Sequence, residues 1–162
     1  MLARYKAQVS QLFQKFPLLG RLGIRVYRLG QARYTAGAVA IVFNEAGAIL
    51  LLKHVYRQKY LWGLPGGWVD RKENPGETVR RELMEETGLR IVVMAPVWIG
   101  QGVWSDHLDM AYICQLEGGD LSLSGEILDY RWVQPAELPK MLDFQTDAIA
   151  QALRLREAFG WQ

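Results

Sequence analysis

A chain of 162 residues, half of them hydrophobic and 22% charged, has the length and balance of one globular domain around one sizeable core. No apolar run reaches the ~18 residues of a membrane span, and the single cysteine, Cys114, excludes a disulfide scaffold and fits a reducing cytoplasm. The net charge of +2 is unevenly spread: residues 1–34 carry seven basic side chains and no acid, which leaves −5 on residues 35–162.

In the basic leader, Leu2, Tyr5, Val9, Leu12, Phe13 and Phe16 recur at helical spacing and predict an amphipathic helix. A transit peptide shares that composition. Anionic lipid, nucleic acid or a phosphate-attracting rim would each suit the charge. The plainer expectation is a helical extension, residues 1–34, packed on a domain of residues 35–162 or on a partner subunit. A homodimer and a nucleic-acid partner both stay open.

Ala36–Phe43 reads as a buried strand, followed by the turn Asn44-Glu45-Ala46-Gly47 and a second strand near Ile49–Tyr56. The Gly- and Pro-rich stretch Trp62–Trp68 cannot be helical. A helix then opens at Asn74 as N-cap, with Pro75 at the first helical position and Glu77 placed as a capping-box acid. Gly88 ends it, and Val79 and Leu83 mark its inward face. Strands are expected near Ile91–Gly102, Asp109–Leu116 and Leu128–Val133, a short helix at Pro135 and a terminal one over Thr146–Phe159. The order predicts an α/β (α+β) fold, a mixed sheet flanked by helices.

On the predicted helix, Glu82 lies beside Glu85 at i+3 and Glu86 at i+4, so three carboxylates share one face. Two carboxylates ~5–6 Å apart repel by roughly 3 kcal/mol at an effective dielectric near 20. A solvated acidic face is the commoner meaning of such a turn. Here the Gly66-Gly67 pair precedes it, bare backbone that a polyanion or a metal can approach closely. Hard oxygen ligands select Mg²⁺ or Mn²⁺ over zinc. Together they predict a metal bridging phosphate oxygens.

These residues resemble the complete Nudix box. Gly67, five residues, Glu73, seven residues and then Arg81-Glu82-Leu83-Met84-Glu85-Glu86-Thr87-Gly88-Leu89 fill every defining position over 23 residues. The lead-in Leu64-Pro65-Gly66-Gly67 and the later Tyr130–Val133 with Glu137-Leu138 are also similar to the family. The resemblance implies a Nudix-type α/β/α sandwich and a pyrophosphohydrolase acting on a nucleoside diphosphate linked to another moiety. It implies that Glu82, Glu85 and Glu86 ligate the cation, with a Gly66 or Gly67 carbonyl completing the shell. It implies that Arg81, paired with Glu73 or a helix glutamate, orients the loop. Family members often add a loop carboxylate; Glu126 is the candidate and Asp129 the alternative.

Tyr56, Trp62, Trp68 and Trp104 fall in or beside loops near the box and are candidates to stack on a base, though for any one of them filling the core or rim is the plainer expectation. Val103-Trp104-Ser105 lacks the proline of the ADP-ribose pyrophosphatase subgroup. His107 is expected to be exposed and His54 structural. Cys114 is expected in the core. Two other functions stand as alternatives: a nucleotide-sensing module without catalysis, against which the full set of box glutamates counts, and an RNA 5′-end pyrophosphohydrolase using the basic leader, which requires basic side chains on the side of the box. A cysteine-dependent isomerase on the same scaffold is the weakest fit.

Overall fold

A computed structural model describes residues 15, 17–102 and 104–160. The chain divides into two compact units, residues 1–33 and 34–162. The first holds helix α1 (Pro17–Leu29), which carries Arg21, Arg25 and Arg28. Leu2, Tyr5, Val9, Leu12, Phe13 and Phe16, on which the leader helix was predicted, lie outside the described residues.

The second unit is built on seven strands: β1 (Thr35–Phe43), β2 (Ile49–His54), β3 (Trp62–Gly63), β4 (Gly66–Trp68), β5 (Arg90–Gln101), β6 (His107–Gly118) and β7 (Ile127–Val133). Helix α2 (Pro75–Thr87) lies between β4 and β5, and α3 (Asp143–Phe159) ends the unit. The sheet runs β3-β2-β1-β6-β5, with β4 paired to β1 and β7 to β2. It is mixed because β1 and β6 pair in parallel from Thr35↔His107 to Phe43↔Gln115, while the other pairings are antiparallel.

Strand β1 is covered on both faces, which is why its sequence is a continuous small and apolar run rather than an alternation. Its side chains still divide with period two. Val39, Ile41 and Phe43 join Ile113, Phe144 and Ile149 in one core cluster, on the α3 side. Ala38, Ala40 and Val42 join Val79 and Leu83 of α2 in the other. Leu83 is fully buried there. Leu83→Ala is expected to destabilise the fold by about 2–5 kcal/mol through lost burial and a residual cavity. A urea midpoint equal to wild type would show that α2 is not packed this way.

Away from β6, β1 changes partner along its length. Gly37, Ala38 and Val39 pair with Trp68, Gly67 and Gly66, whereas Phe43 pairs with Ile49 of β2. Between these pairings Ala40 N–H donates to the Pro65 carbonyl at 2.8 Å. The Trp62–Trp68 stretch, expected to be irregular, is therefore stitched into the sheet as two very short strands. That fork in the sheet positions the site.

Helix α2 has the predicted ends with a different cap. Asn74 Oδ1 accepts from Gly76 N–H at 2.9 Å, but Glu77 pairs with Arg80 instead of closing a capping box. Gly88, at φ 71°, returns its N–H to the Met84 carbonyl. The short helix expected at Pro135 is present as a single 3₁₀ turn, Pro135–Glu137. Helix α3 begins at Asp143, one turn before Thr146, with no side-chain cap. Burial of Phe144 and Gln145 fixes that start, a tertiary cause that leaves no capping signal in the sequence.

Candidate active site

The Gly66-Gly67 lip stands against the carboxylate face of α2. Gly66 has φ 143°, and a Cβ there would run into the Ala38 and Val39 backbone. A Cβ at Gly67 would meet the Glu82 carboxylate. Only bare backbone lets the helix acids reach this edge of the sheet.

Glu86 is buried at 6% exposure, and its Oε2 accepts from Gly66 N–H at 3.1 Å. Burial pushes its carboxyl up to about 8, with the Glu82 charge adding to the rise. His54 Nδ1 lies 3.7 Å from Glu86 Oε1, but burial and the Arg57 charge push His54 down to about 4. The imidazole is neutral near pH 7, so this contact supplies no compensating cation. Glu82, half-buried, is also raised, first by burial. Glu85 points outward.

Arg81 ties the loop to the helix. Its Nε and one terminal nitrogen donate to the two oxygens of Glu73 at 2.9 and 3.0 Å. The other terminal nitrogen reaches Glu82 at 2.9 Å and Glu85 at 3.2 Å. Glu73 also accepts from Thr78 Oγ1 at 2.7 Å and Asp70 N–H at 3.1 Å. The Arg81 bonds, then Thr78, hold its carboxyl down to about 2, and Arg81 is held above its ordinary value chiefly by Glu73.

Glu82, Glu85, Glu86 and Glu126 line one cavity of about 540 Å³ together with Tyr56 and Gly67. Glu126 is exposed, on the loop before β7, and its carbonyl accepts from Val55 N–H at 2.9 Å. Asp129 is not in that lining. It sits on β7 across from Lys53, with Arg131 at 3.9 Å. Among the described residues no three His, Cys, Asp or Glu side chains close into a ready metal cage. Arg81, lying on Glu82 and Glu85, is the cation drawn to that face. The donor set still fits Mg²⁺, which keeps several waters and takes one or two carboxylates plus substrate phosphates instead of an all-protein cage.

The aromatic candidates separate. Tyr56 lines the carboxylate cavity, its hydroxyl 3.3 Å from His54 Nδ1. Trp62 packs against the core with the Arg131 guanidinium 4.4 Å over its ring, away from the cavity. Trp104 lines a second cavity of about 320 Å³ that also holds Trp68 and His107. His107 is 4% exposed, which corrects the expectation of an exposed side chain. Strand β6 begins at His107, two residues before the predicted start, and this places His107 and Asp109 on its inward face. Asp109, Arg57 and Gln145 also line this cavity and were not singled out in the sequence. Isolated polar residues in unlike elements carry no shared spacing that would have marked them. Cys114 is buried, and burial pushes its thiol up to about 12, so it is an inert core residue.

Residues 33–153 match the NUDIX domain family model. The chain is 36% identical over 107 residues to a putative 8-oxo-dGTP diphosphatase of Bacillus subtilis, covering 65% of this chain and 70% of the relative. It is 32% identical over 121 residues to the CMP-5'-(N-acetyl-N-hydroxy-3-aminopropyl)phosphonate hydrolase of Streptomyces rubellomurinus, covering 68% of this chain and 56% of that protein. A MutT protein from Methanosarcina mazei has the same fold, with TM-score 0.64 and 25% identity over 78% of this chain and 98% of its own. The fold and the filled box define a hydrolase scaffold with a helix-borne acidic site. The chain belongs to the Nudix hydrolase family. Among the described residues no helix is long and apolar enough to cross a membrane.

Proposed function

We propose that the chain is a metal-dependent pyrophosphohydrolase that cleaves a phosphoanhydride bond in a nucleoside diphosphate linked to another moiety, by attack of water at phosphorus. The observation that carries this reading is the pair Glu82 and Glu86, desolvated against the Gly66-Gly67 lip and opening on a cavity shared with Glu85 and Glu126. Burial raises both carboxyls, which makes their ionised forms costly, and a cation joining them would offset that cost and displace the proton that Glu86 otherwise holds. Glu82, Glu85 and Glu86, with the Gly67 carbonyl, would hold Mg²⁺ or Mn²⁺. A bound cation supplies charge neutralisation for the diphosphate and a more acidic water.

The chain's own groups do the rest. Arg81, locked on Glu73, sets the position of the loop carrying Gly67 and Trp68. Glu126, an exposed loop carboxylate lining the same cavity, would accept the proton of the attacking water. The leaving group is a phosphate ester, so its departure requires no strong acid. The nucleotide substrates named for the two relatives support the nucleoside part of the reading.

Glu126→Gln is expected to lower kcat by about 10²-fold, the scale of a lost acid–base group. Asp129→Asn should stay within about two-fold, since an exposed charge contributes only ~0–1 kcal/mol. Equal effects of the two changes would remove Glu126 from the reaction. The substrate class is tested by a turnover screen with Mg²⁺ or Mn²⁺. It sets nucleoside diphosphate derivatives against nucleoside triphosphates, dinucleoside polyphosphates and 5′-triphosphate RNA. Turnover is expected to be fastest on the diphosphate derivatives. Faster release from RNA ends would replace this reading, and binding without release would point to a sensing module.

A further inference from the structure

The 320 Å³ cavity lies on the α3 side of β1 and shares Tyr56, Gly66, Gly67 and Trp68 with the carboxylate cavity. One elongated ligand can therefore occupy both, with its diphosphate at the glutamates and its other end here. The wall of this second cavity is aromatic. Trp68 and Trp104 are stacked, with centroids 5.9 Å apart and planes at 21°, and each is more than half exposed. That is the spacing of a contacting pair, so a further ring stacks on the open face of the pair and not between its members.

Of the polar groups in this cavity, which include Arg57, His107 and Gln145, the carboxylate is Asp109, 8% exposed. Its Oδ1 faces His107 Nε2 at 3.3 Å, and His107 Nδ1 is fixed by Thr35 Oγ1 at 2.8 Å. His107 is in turn braced edge-on by both indoles, at 4.6 Å from Trp68 and 5.6 Å from Trp104. Asp109 is thus held rigidly from one side. A carboxylate offers about four acceptor sites, and His107 takes one of them.

We propose that this cavity is a base-recognition subsite in which Asp109 accepts the paired N–H donors of a guanine-type base stacked on Trp68 and Trp104. The inference rests on the nucleotide-hydrolase reading above and adds the base to it. An ionised carboxylate only accepts hydrogen bonds. Guanine presents a ring N–H beside an amino group, two donors that one carboxylate engages together. Adenine and cytosine set a ring acceptor beside their amino group, which a carboxylate repels. Uracil offers one N–H between two carbonyls.

The test uses the full chain with Mg²⁺ present and the nucleoside diphosphates as their non-hydrolysable α,β-methylene forms, so that nothing is hydrolysed, with binding followed by tryptophan fluorescence or calorimetry. GDP should bind about ten- to hundred-fold more tightly than ADP, CDP or UDP, the usual discrimination of a bidentate contact. IDP lacks the amino group and should fall between GDP and ADP. Asp109→Asn should bring GDP down to the level of ADP. The wild-type series stands even if that variant folds poorly, which a thermal melt would show. Equal binding of GDP, IDP and ADP by the wild type overturns the subsite, as does a guanine preference that survives in a folded Asp109→Asn variant. If the enzyme hydrolyses nucleotides with no base preference, the subsite alone falls. If it neither binds nor hydrolyses any nucleotide, the underlying reading falls with it.

Discussion

Stripping the protein of divalent cations is expected to abolish hydrolysis, and returning Mg²⁺ or Mn²⁺ to restore it. The reason lies in the charge balance around α2. Arg81 is the cation on the glutamate face, and three of its four carboxylate contacts within 3.2 Å are spread over Glu73, on both oxygens, and Glu82. Among the described residues Glu86 shows no ion-paired hydrogen bond of this kind: His54 beside it is neutral, and the Arg57 charge only partly offsets the rise that burial causes. A diphosphate entering this cavity without a metal would meet at least three more negative groups. At an effective dielectric near 20 each like-charge contact at about 4 Å opposes binding by roughly 4 kcal/mol. Rates measured after exhaustive chelation and after metal return check this. Full activity in the stripped protein would leave the carboxylates without a catalytic part.

Glu86→Gln and Glu82→Gln are each expected to lower kcat by at least ~10²-fold while leaving the fold intact. Stability separates this outcome from simple damage. In the metal-free protein Glu86 has a folded value near 8, above its ordinary 4.5. The folded state therefore binds the proton more tightly than the unfolded chain does. Its contribution to stability is complete below about pH 4.5 and is lost as pH rises through about 8. Glutamine stays neutral throughout, so Glu86→Gln should flatten the fall in Tm over that window. It should also match or exceed the wild-type Tm at pH 8 in chelator. A lower Tm with unchanged turnover would mean that Glu86 is a packing residue.

The parts of the molecule written in local periodicity were legible in the sequence. The two ends of α2, its inward Val79 and Leu83, and the apolar run of β1 follow from capping chemistry and burial, and the structure carries them. The shared face of Glu82, Glu85 and Glu86 follows from helical spacing alone. What could not be read was set by pairing at a distance. The fork of β1 between β4 and β2 depends on register, and it gives the Gly66-Gly67 lip its position. The start of α3 depends on burying Phe144, not on a cap. His107 was misplaced because two extra residues of β6 turn it inward, and the buried role of Asp109 was not legible because it depends on the same inward turn and on the pairing of β6 with β1, where Asp109 faces Gly37.

The most direct measurement is a titration of Mn²⁺ into the metal-stripped chain, followed by water-proton relaxation, in wild type and in the Glu82→Gln/Glu86→Gln double variant. Wild type should show a saturable site, and the double variant should bind at least ten-fold more weakly, because two of the hard oxygen donors are gone. Asp129→Asn, run alongside, should match wild type. Equal Mn²⁺ affinity in wild type and the double variant would contradict the account, since the cation would then be held by groups other than the glutamate face of α2.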